Sequence, residues 1–221
     1  MPEGEYFRIG AEVRCASGEV CGEVRYLDIS WRAHTLTHVA VEESGRLGLG
    51  RLVPGGQVRV DPHTGTIQFL GTIADFRKLD PSDVTTYVPG SPPWAAYPGQ
   101  QVVEEPEYDP IPGEQVVGSS VPWKNAPTET SEVIPLGDVK IDRHYPVHAG
   151  SHEFGRVHGV LVDPRRRVTH VVLAEWHGLR HKEVAVPFGD QDTIDHEGFH
   201  LSMSQQEMED LPPLDGDHPA G

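Results

Sequence analysis

The chain is poor in cysteine, in positive charge and in long apolar runs, and each shortage removes a class of protein. Two cysteines in 221 residues cannot build the dense disulfide framework of a small secreted scaffold. Eighteen Lys and Arg against 34 Asp and Glu leave a formal charge of −16. Sequence-independent binding to nucleic acid depends on cations that displace counterions from phosphates, and anionic membrane surfaces attract basic segments, so neither partner is expected. No run approaches the roughly 20 apolar residues needed to span a bilayer. The opening MPEGEYFRIG has neither the basic nor the apolar region of a signal peptide. The expectation is a soluble, cytoplasmic protein without a transmembrane segment. Catalytic signatures are missing as well. The G-x-S-x-G of a nucleophile elbow is absent. GRLGLGR at 45–51 has neither the Lys-Ser/Thr ending nor the following helix of a phosphate loop. No catalytic residue, cofactor-binding residue or cofactor is assigned, and the protein is expected not to be an enzyme.

What the chain does contain is unevenly spread. Residues 1–80 carry 9 Lys and Arg against 11 Asp and Glu, residues 81–132 carry 1 against 8, and residues 133–221 carry 8 against 15. Ten of the 20 prolines fall in 81–132. Proline at that density removes ladder donors and favours extended chain, so 81–132 is expected to be a Pro-rich acidic linker without its own core. Its aromatics, Trp94, Tyr97, Tyr108 and Trp123, are expected to dock in part on a flanking domain. Residues 213–221 are expected to be a disordered tail.

The flanking segments resemble each other. Gly22-Glu-Val24 matches Gly155-Arg-Val157 at an offset of 133, Thr37-His38-Val39 matches Thr169-His170-Val171 at 132, Leu52-Val53-Pro54 matches Ala185-Val186-Pro187 at 133, and Gly65 matches Gly198 at 133. The simplest reading is two copies of one module, 1–80 and 133–212. Each copy is β-rich by its patterning. In the second, residues 155–162 (GRVHGVLV) and 168–176 (VTHVVLAEW) read as strands about a turn at Asp163-Pro164-Arg165-Arg166, followed by short strands at 184–187 and 199–201. In the first, Thr37, Val39 and Val41 alternate with His38, Ala40 and Glu42. Each copy closes on a short helix, at 73–79 and 204–211, stopped by Pro81 and Pro212. In the second helix, Ser202 or Ser204 supplies the cap, and Glu207 lies three residues after Ser204 as in a capping box.

A turn glycine, a strand, an Asp-Pro turn, a strand of the type THVVL, a polar hairpin, a short strand ending in Val-Pro and a terminal helix SQQEMEDLP together resemble the PRC-barrel family. The resemblance covers roughly 12–76 and 140–212 and is better in the second copy, in GRVHGVLVDPRRRVTHVVLAEW and EVAVPF. It implies a mainly β protein of two small PRC-type β-barrels, each with a short terminal helix, joined by the Pro-rich linker. It also implies a non-enzymatic adaptor or scaffold that binds protein partners, as the cytoplasmic barrel of the photosynthetic reaction centre H subunit docks onto a larger assembly. It carries no catalytic residues.

Three groups of side chains remain to be weighed. His144, His148 and His152 recur every four residues, which on a helix would align metal ligands, but Pro146 and Gly150 interrupt the stretch. His170, His177, His181, His196 and His200 lie on strands and hairpins of the same copy. Scattered surface histidines are the preferred reading, and no metal is expected. Cys15 and Cys21 bracket a hairpin turn; their spacing matches no common redox motif, so two small apolar residues on adjacent strands are preferred to a redox pair. Arg165, Arg166 and Arg167 are the densest positive charge in an acidic chain; a solvated hairpin tip that limits edge pairing is the preferred reading, and the triplet is the candidate grip on a partner. A homodimer or an intramolecular pairing of the two barrels is expected, because modules of this size bury little area alone. The alternatives are a His-rich metal- or small-ligand-binding regulator, or a peripheral subunit of a membrane electron-transfer complex.

Overall fold

The computed structural model describes residues 4–43, 50–87, 128–150, 152–177, 180–212 and 214. The first half runs β1 (Glu5–Arg8), β2 (Glu12–Arg14), β3 (Val20–Ser30), β4 (Thr35–Glu42), β5 (Gly50–Pro54), a 3-10 turn (Gly55–Gln57), β6 (Val58–Val60), β7 (Ile67–Phe69) and α1 (Ile73–Phe76). After β8 (Asp83–Tyr87) and β9 (Thr128–Glu132), the second half runs β10 (Asp138–Ile141), β11 (Pro146–Ala149), β12 (His152–Val162), β13 (Val168–His177), β14 (Arg180–Pro187), β15 (Thr193–Asp195), β16 (Gly198–Leu201) and α2 (Gln205–Glu209). Met1–Asp83 and Val133–Gly221 form one compact unit, and Val84–Glu132 forms another.

The protein is mainly β. Within the first unit two sheets of seven strands share one plan: β5-β4-β3-β2-β7-β6 in the first and β14-β13-β12-β11-β16-β15 in the second. The hydrogen-bonded order of each is open, running from β5 to β6 and from β14 to β15, and no closed barrel is found among the described residues. In both, a parallel pair (β2 with β7, β11 with β16) is embedded in antiparallel neighbours.

The seventh strand of each sheet comes from the other half. β1 pairs antiparallel with β12, setting Phe7 opposite Val160, and β10 pairs antiparallel with β3, setting Ile141 opposite Leu27. The cause lies in strand length. β3 and β12 each have 11 residues, but β2 covers only Val20–Glu23 of β3 and β11 only His152–Arg156 of β12. The remaining edge of each would leave backbone N–H and C=O groups unpaired, and the exchanged strand satisfies them. The chain crosses between sheets within one step. The Ile9 N–H donates to the His158 carbonyl at 2.9 Å, and the Gly10 N–H donates to the Val24 carbonyl at 2.7 Å. Gly10 has φ 85°, a left-handed conformation that favours glycine at the crossover.

A second seam joins the halves at their long hairpins. The Leu36 N–H donates to the Arg166 carbonyl and the Val168 N–H to the His34 carbonyl, both at 2.8 Å, about an antiparallel bridge between Thr35 and Arg167. Thr35 and Arg167 are equivalent positions of the repeat, as are His34 and Arg166, both left-handed with φ 51° and 66°. One apolar core follows from these contacts. Phe7, Ile9, Val13, Val39, Val53, Ile67 and Phe76 of the first half belong to the same buried cluster as Ile141, Val147, Val171, Val186, Phe199 and Met208 of the second.

Local details explain the repeat. Gly22 and Gly155 face the buried Val13 and Val147 across the β2–β3 and β11–β12 pairs. The Thr37 and Thr169 hydroxyls donate to the equivalent carbonyls of Asp28 and Leu161, and Pro54 and Pro187 lie opposite His38 and His170. Gly65 and Gly198 do not correspond. Gly65 sits in the six-residue turn between Val60 and Ile67, whereas Gly198 opens β16 after a two-residue turn. The alternation of β4 buries Val39 and Val41 in the main core, and its other face is covered as well, with Ala40 packed under Tyr26 and Leu52. Both helices are shorter than expected, but both have complete capping boxes, Thr72 with Asp75 and Ser204 with Glu207. Residues 81–83, expected to open the linker, belong to the first unit. Ser82 donates to the Gly50 carbonyl, just as Leu214 donates to that of Glu183, and Asp83–Tyr87 pairs with Thr128–Glu132. Trp94, Tyr97, Tyr108, Trp123, most of 45–51, and 213 and 215–221 lie outside the described residues.

Phe7→Ala removes a fully buried ring from a strand of the first half that is paired into the second sheet. It should cost about 3–5 kcal/mol in urea unfolding. Hydrogen exchange should show the loss of amide protection centred on Val160–Val162 of β12, with β3 affected less.

Candidate functional site

The arginine triplet occupies the β12–β13 turn. The Asp163 carboxylate accepts from the N–H groups of Arg165 and Arg167, each at 2.8 Å, and the Arg166 N–H donates to the Asp163 carbonyl at 2.9 Å. That geometry separates the three side chains. Arg166 turns inward: its side chain is 13% exposed, and its guanidinium donates to Glu5 at 2.5 Å and to the Val58 carbonyl and lies 5.3 Å from the centre of the Phe7 ring. Arg166 is therefore not available to a partner, contrary to the reading of the triplet as one grip. Its charge is spent holding the second half's turn against β1 and β6 of the first. Its repeat equivalent, His34, reaches the other way and meets Phe188 edge-on at 5.0 Å. Arg165 is exposed, and Arg167 is half exposed beside Asp190 at 3.2 Å, so the outward charge of the turn comes from these two.

Beside the exchanged β1, Glu183 on β14 gathers three side chains. Its carboxylate lies 2.7 Å from His158 Nδ1, accepts from the Tyr6 hydroxyl at 3.2 Å, and sits 3.9 Å from Arg8 Nε. Tyr6 and Arg8 come from β1, His158 and Glu183 from the second half. Burial acts to raise the pKa of Glu183. The hydrogen bond and charge of His158, the charge of Arg8 and the Tyr6 hydroxyl outweigh it and hold the carboxyl below its ordinary value. Burial and the neighbouring Glu183 charge push the Tyr6 hydroxyl far up, so Tyr6 is a donor throughout the working range. The sequence offered no sign of this cluster, since nothing in EYFR points to a partner strand some 155 residues away.

The histidines separate. His144 is almost fully exposed in the turn after Asp142, His148 lies on β11, and His152 opens β12, so one turn and two strand positions replace the helix that would have aligned them. The three-ligand group present among the described residues is a different one, Asp195, Glu197 and His200, whose donor atoms all lie within 4.8 Å of one another. Of the three candidates, His148 is the one near it, stacked on His200 with ring centres 5.2 Å apart. Cys15 and Cys21 are not a mere pair of small apolar residues: they form a disulfide across the β2–β3 hairpin, with Cα atoms 5.8 Å apart and both residues buried. No described helix is long and apolar enough to cross a membrane.

The chain matches no protein-family model and no curated protein. The residues themselves carry the functional reading.

Two measurements probe this region. Because the carboxyl of Glu183 is depressed in the folded protein, its stabilising contribution is complete above its ordinary value of 4.5 and is lost as pH falls through the lower folded value. The stability gap between wild type and Glu183→Gln in urea should shrink as pH falls below 4.5 toward about pH 3. Opening the short Cys15–Cys21 loop with a reductant should lower stability by about 2 kcal/mol on the chain-entropy relation, read as a lower urea midpoint that returns on reoxidation.

Proposed function

We propose that the protein is a non-enzymatic adaptor or scaffold of the PRC-barrel type, in which two like β-modules are paired within one chain and present a double surface to protein partners. The observation that favours it is the reciprocal exchange of β1 and β10. A module that satisfies its longest strand with a strand from its twin behaves as half of a dimer. Placing both halves on one chain makes that pairing intramolecular, independent of protein concentration. The charged side chains so placed that a partner would meet them include Arg165 and Arg167, whereas Arg166, Glu5, Glu183 and His158 are engaged in holding the halves together. A local acidic patch on a protein partner fits that pair of arginines, whereas the strongly acidic remainder of the chain repels acidic surfaces and confines such a contact to this turn. A cytoplasmic setting is part of this reading and turns on the thiol state of Cys15 and Cys21, because disulfides seldom persist in reducing compartments.

The test is cross-linking in the native cell followed by reconstitution from purified components. At least one captured protein should bind directly and stoichiometrically. The charge reversal Arg165→Glu with Arg167→Glu should weaken that complex at least about tenfold while leaving the circular dichroism melt unchanged. An adaptor that reconstitutes with none of the captured proteins, or catalytic turnover by the purified chain, would overturn the reading.

A further inference from the structure

We propose that Asp195, Glu197 and His200, with His148 stacked alongside, form a binding site for a transition-metal ion of the zinc class. The inference is independent of the adaptor reading.

The site is built by one tight turn and one parallel strand pair. Asp195 and Gly198 close the two-residue turn between β15 and β16, and His200 follows on β16. The turn aims the carboxylate: Asp195 Oδ1 accepts from the Glu197 N–H at 2.8 Å and lies 3.2 Å from His200 Nε2. The Tyr145 hydroxyl donates to the Asp195 carbonyl and anchors the turn from below. The parallel pairing sets His148 directly opposite His200, and the rings stack within 14° of parallel. Gly198 makes room for this arrangement. A Cβ there would come within 2.7 Å of the Pro146 carbonyl and 2.8 Å of the His148 ring, so the close approach of β11 and its imidazole requires glycine.

The first half shows what the fold itself asks of these positions. In the equivalent parallel pair, Arg14 stands opposite Gln68, and the Arg14 guanidinium is used locally, on Glu12 and the Gly18 carbonyl. The equivalent hairpin, between Val60 and Ile67, has a turn of six residues where the second half has two. The same architecture therefore forms with no imidazole at either strand position and a different turn. The turn aspartate is common to both halves, since Asp61 Oδ1 accepts from the His63 N–H at 2.8 Å as Asp195 Oδ1 accepts from the Glu197 N–H, so the additions of the second half are Glu197 and the two histidines.

Their chemistry selects the ion. Imidazole nitrogen mixed with carboxylate oxygen suits zinc, cobalt or nickel. Calcium asks for six to eight oxygens and magnesium for a largely hydrated octahedron, so neither fits. Asp195, Glu197 and His200 supply three donors, and a rotation of His148 off its stack brings the fourth. All four side chains are at least partly exposed, which gives an ion that exchanges with solvent rather than one locked in during folding.

Isothermal titration of the full chain with zinc chloride tests the site. One ion per chain is expected, with His200→Ala weakening binding at least about tenfold and His148→Ala weakening it less. His144→Ala with His152→Ala should change nothing. Should His200→Ala fail to fold, Glu197→Gln, in an exposed turn, serves in its place. Zinc should raise the melting temperature of the wild type, reversibly with chelator, and should raise that of Glu197→Gln less. Absence of saturable one-to-one binding, equal binding by the wild type and these variants, or a loss confined to the His144/His152 pair would overturn the proposal.

Discussion

The unpaired edge of an 11-residue strand is the constraint on which the rest of the first unit depends. β3 and β12 outrun the strands that precede them in the chain, and the uncovered part of each is paired by a strand of the opposite half. That pairing carries Phe7 and Ile141 into the core, brings the two long hairpin turns together at Thr35 and Arg167, and merges two small cores into one. A sheet of this size is marginal by itself, because a small domain buries a modest fraction of its surface. Sharing a core raises that fraction for both halves. It also ties their fates, since the loss of either exchanged strand opens a ladder in the other half's sheet.

The internal repeat was legible because its matches fall on positions that the backbone restricts. Gly22 and Gly155 face a buried valine, Thr37 and Thr169 tie the same carbonyl, and Pro54 and Pro187 end the same strand. Residue type reports such local demands directly. The cap of the second helix was legible for the same reason, with Ser204 and Glu207 satisfying each other's backbone groups. The exchange was not legible. Alternation tells which face of a strand is buried and is silent about which sheet the strand joins, and β1 has only four residues over which to alternate at all. The Gly65 and Gly198 match shows the opposite failure, two glycines at the repeat spacing placed there by turns of different length.

The candidate sites divide along the same line. The triplet Arg165, Arg166 and Arg167 was visible as charge, but a left-handed residue at its centre sends the middle side chain inward and leaves the outer two facing out. No composition argument distinguishes those fates. His144, His148 and His152 attracted notice through a helical spacing that strands do not honour. The group that does converge combines a turn, Asp195 to Gly198, with a parallel pairing of β11 and β16 that links residues about 50 apart. The disulfide was hidden for a simpler reason: six residues of separation fit many hairpins, and only the register of β2 on β3 brings Cys15 and Cys21 within bonding distance.

Where the two halves must agree, in the core and the exchanged strands, they do; where solvent or a neighbour replaces the core, they part. Glu183 and Gly50 occupy equivalent places on β14 and β5. In the second half the Glu183 carboxylate fills that place and collects Tyr6, Arg8 and His158. In the first half a Cβ at Gly50 would strike Ser82, because the chain itself runs back there and Asp83 pairs with Arg25 at 2.8 Å. His34 against Arg166 and Gln68 against His200 repeat the pattern. A true homodimer could not have made these choices, since every surface would appear twice. Fusing the halves lifts that restriction, so a pseudo-symmetric pair can hold one core in common while equivalent positions take different residues, Glu183 with its three partners in one half and Gly50 against Ser82 in the other. In the adaptor reading, that asymmetry is what lets the chain distinguish the two sides of whatever it joins.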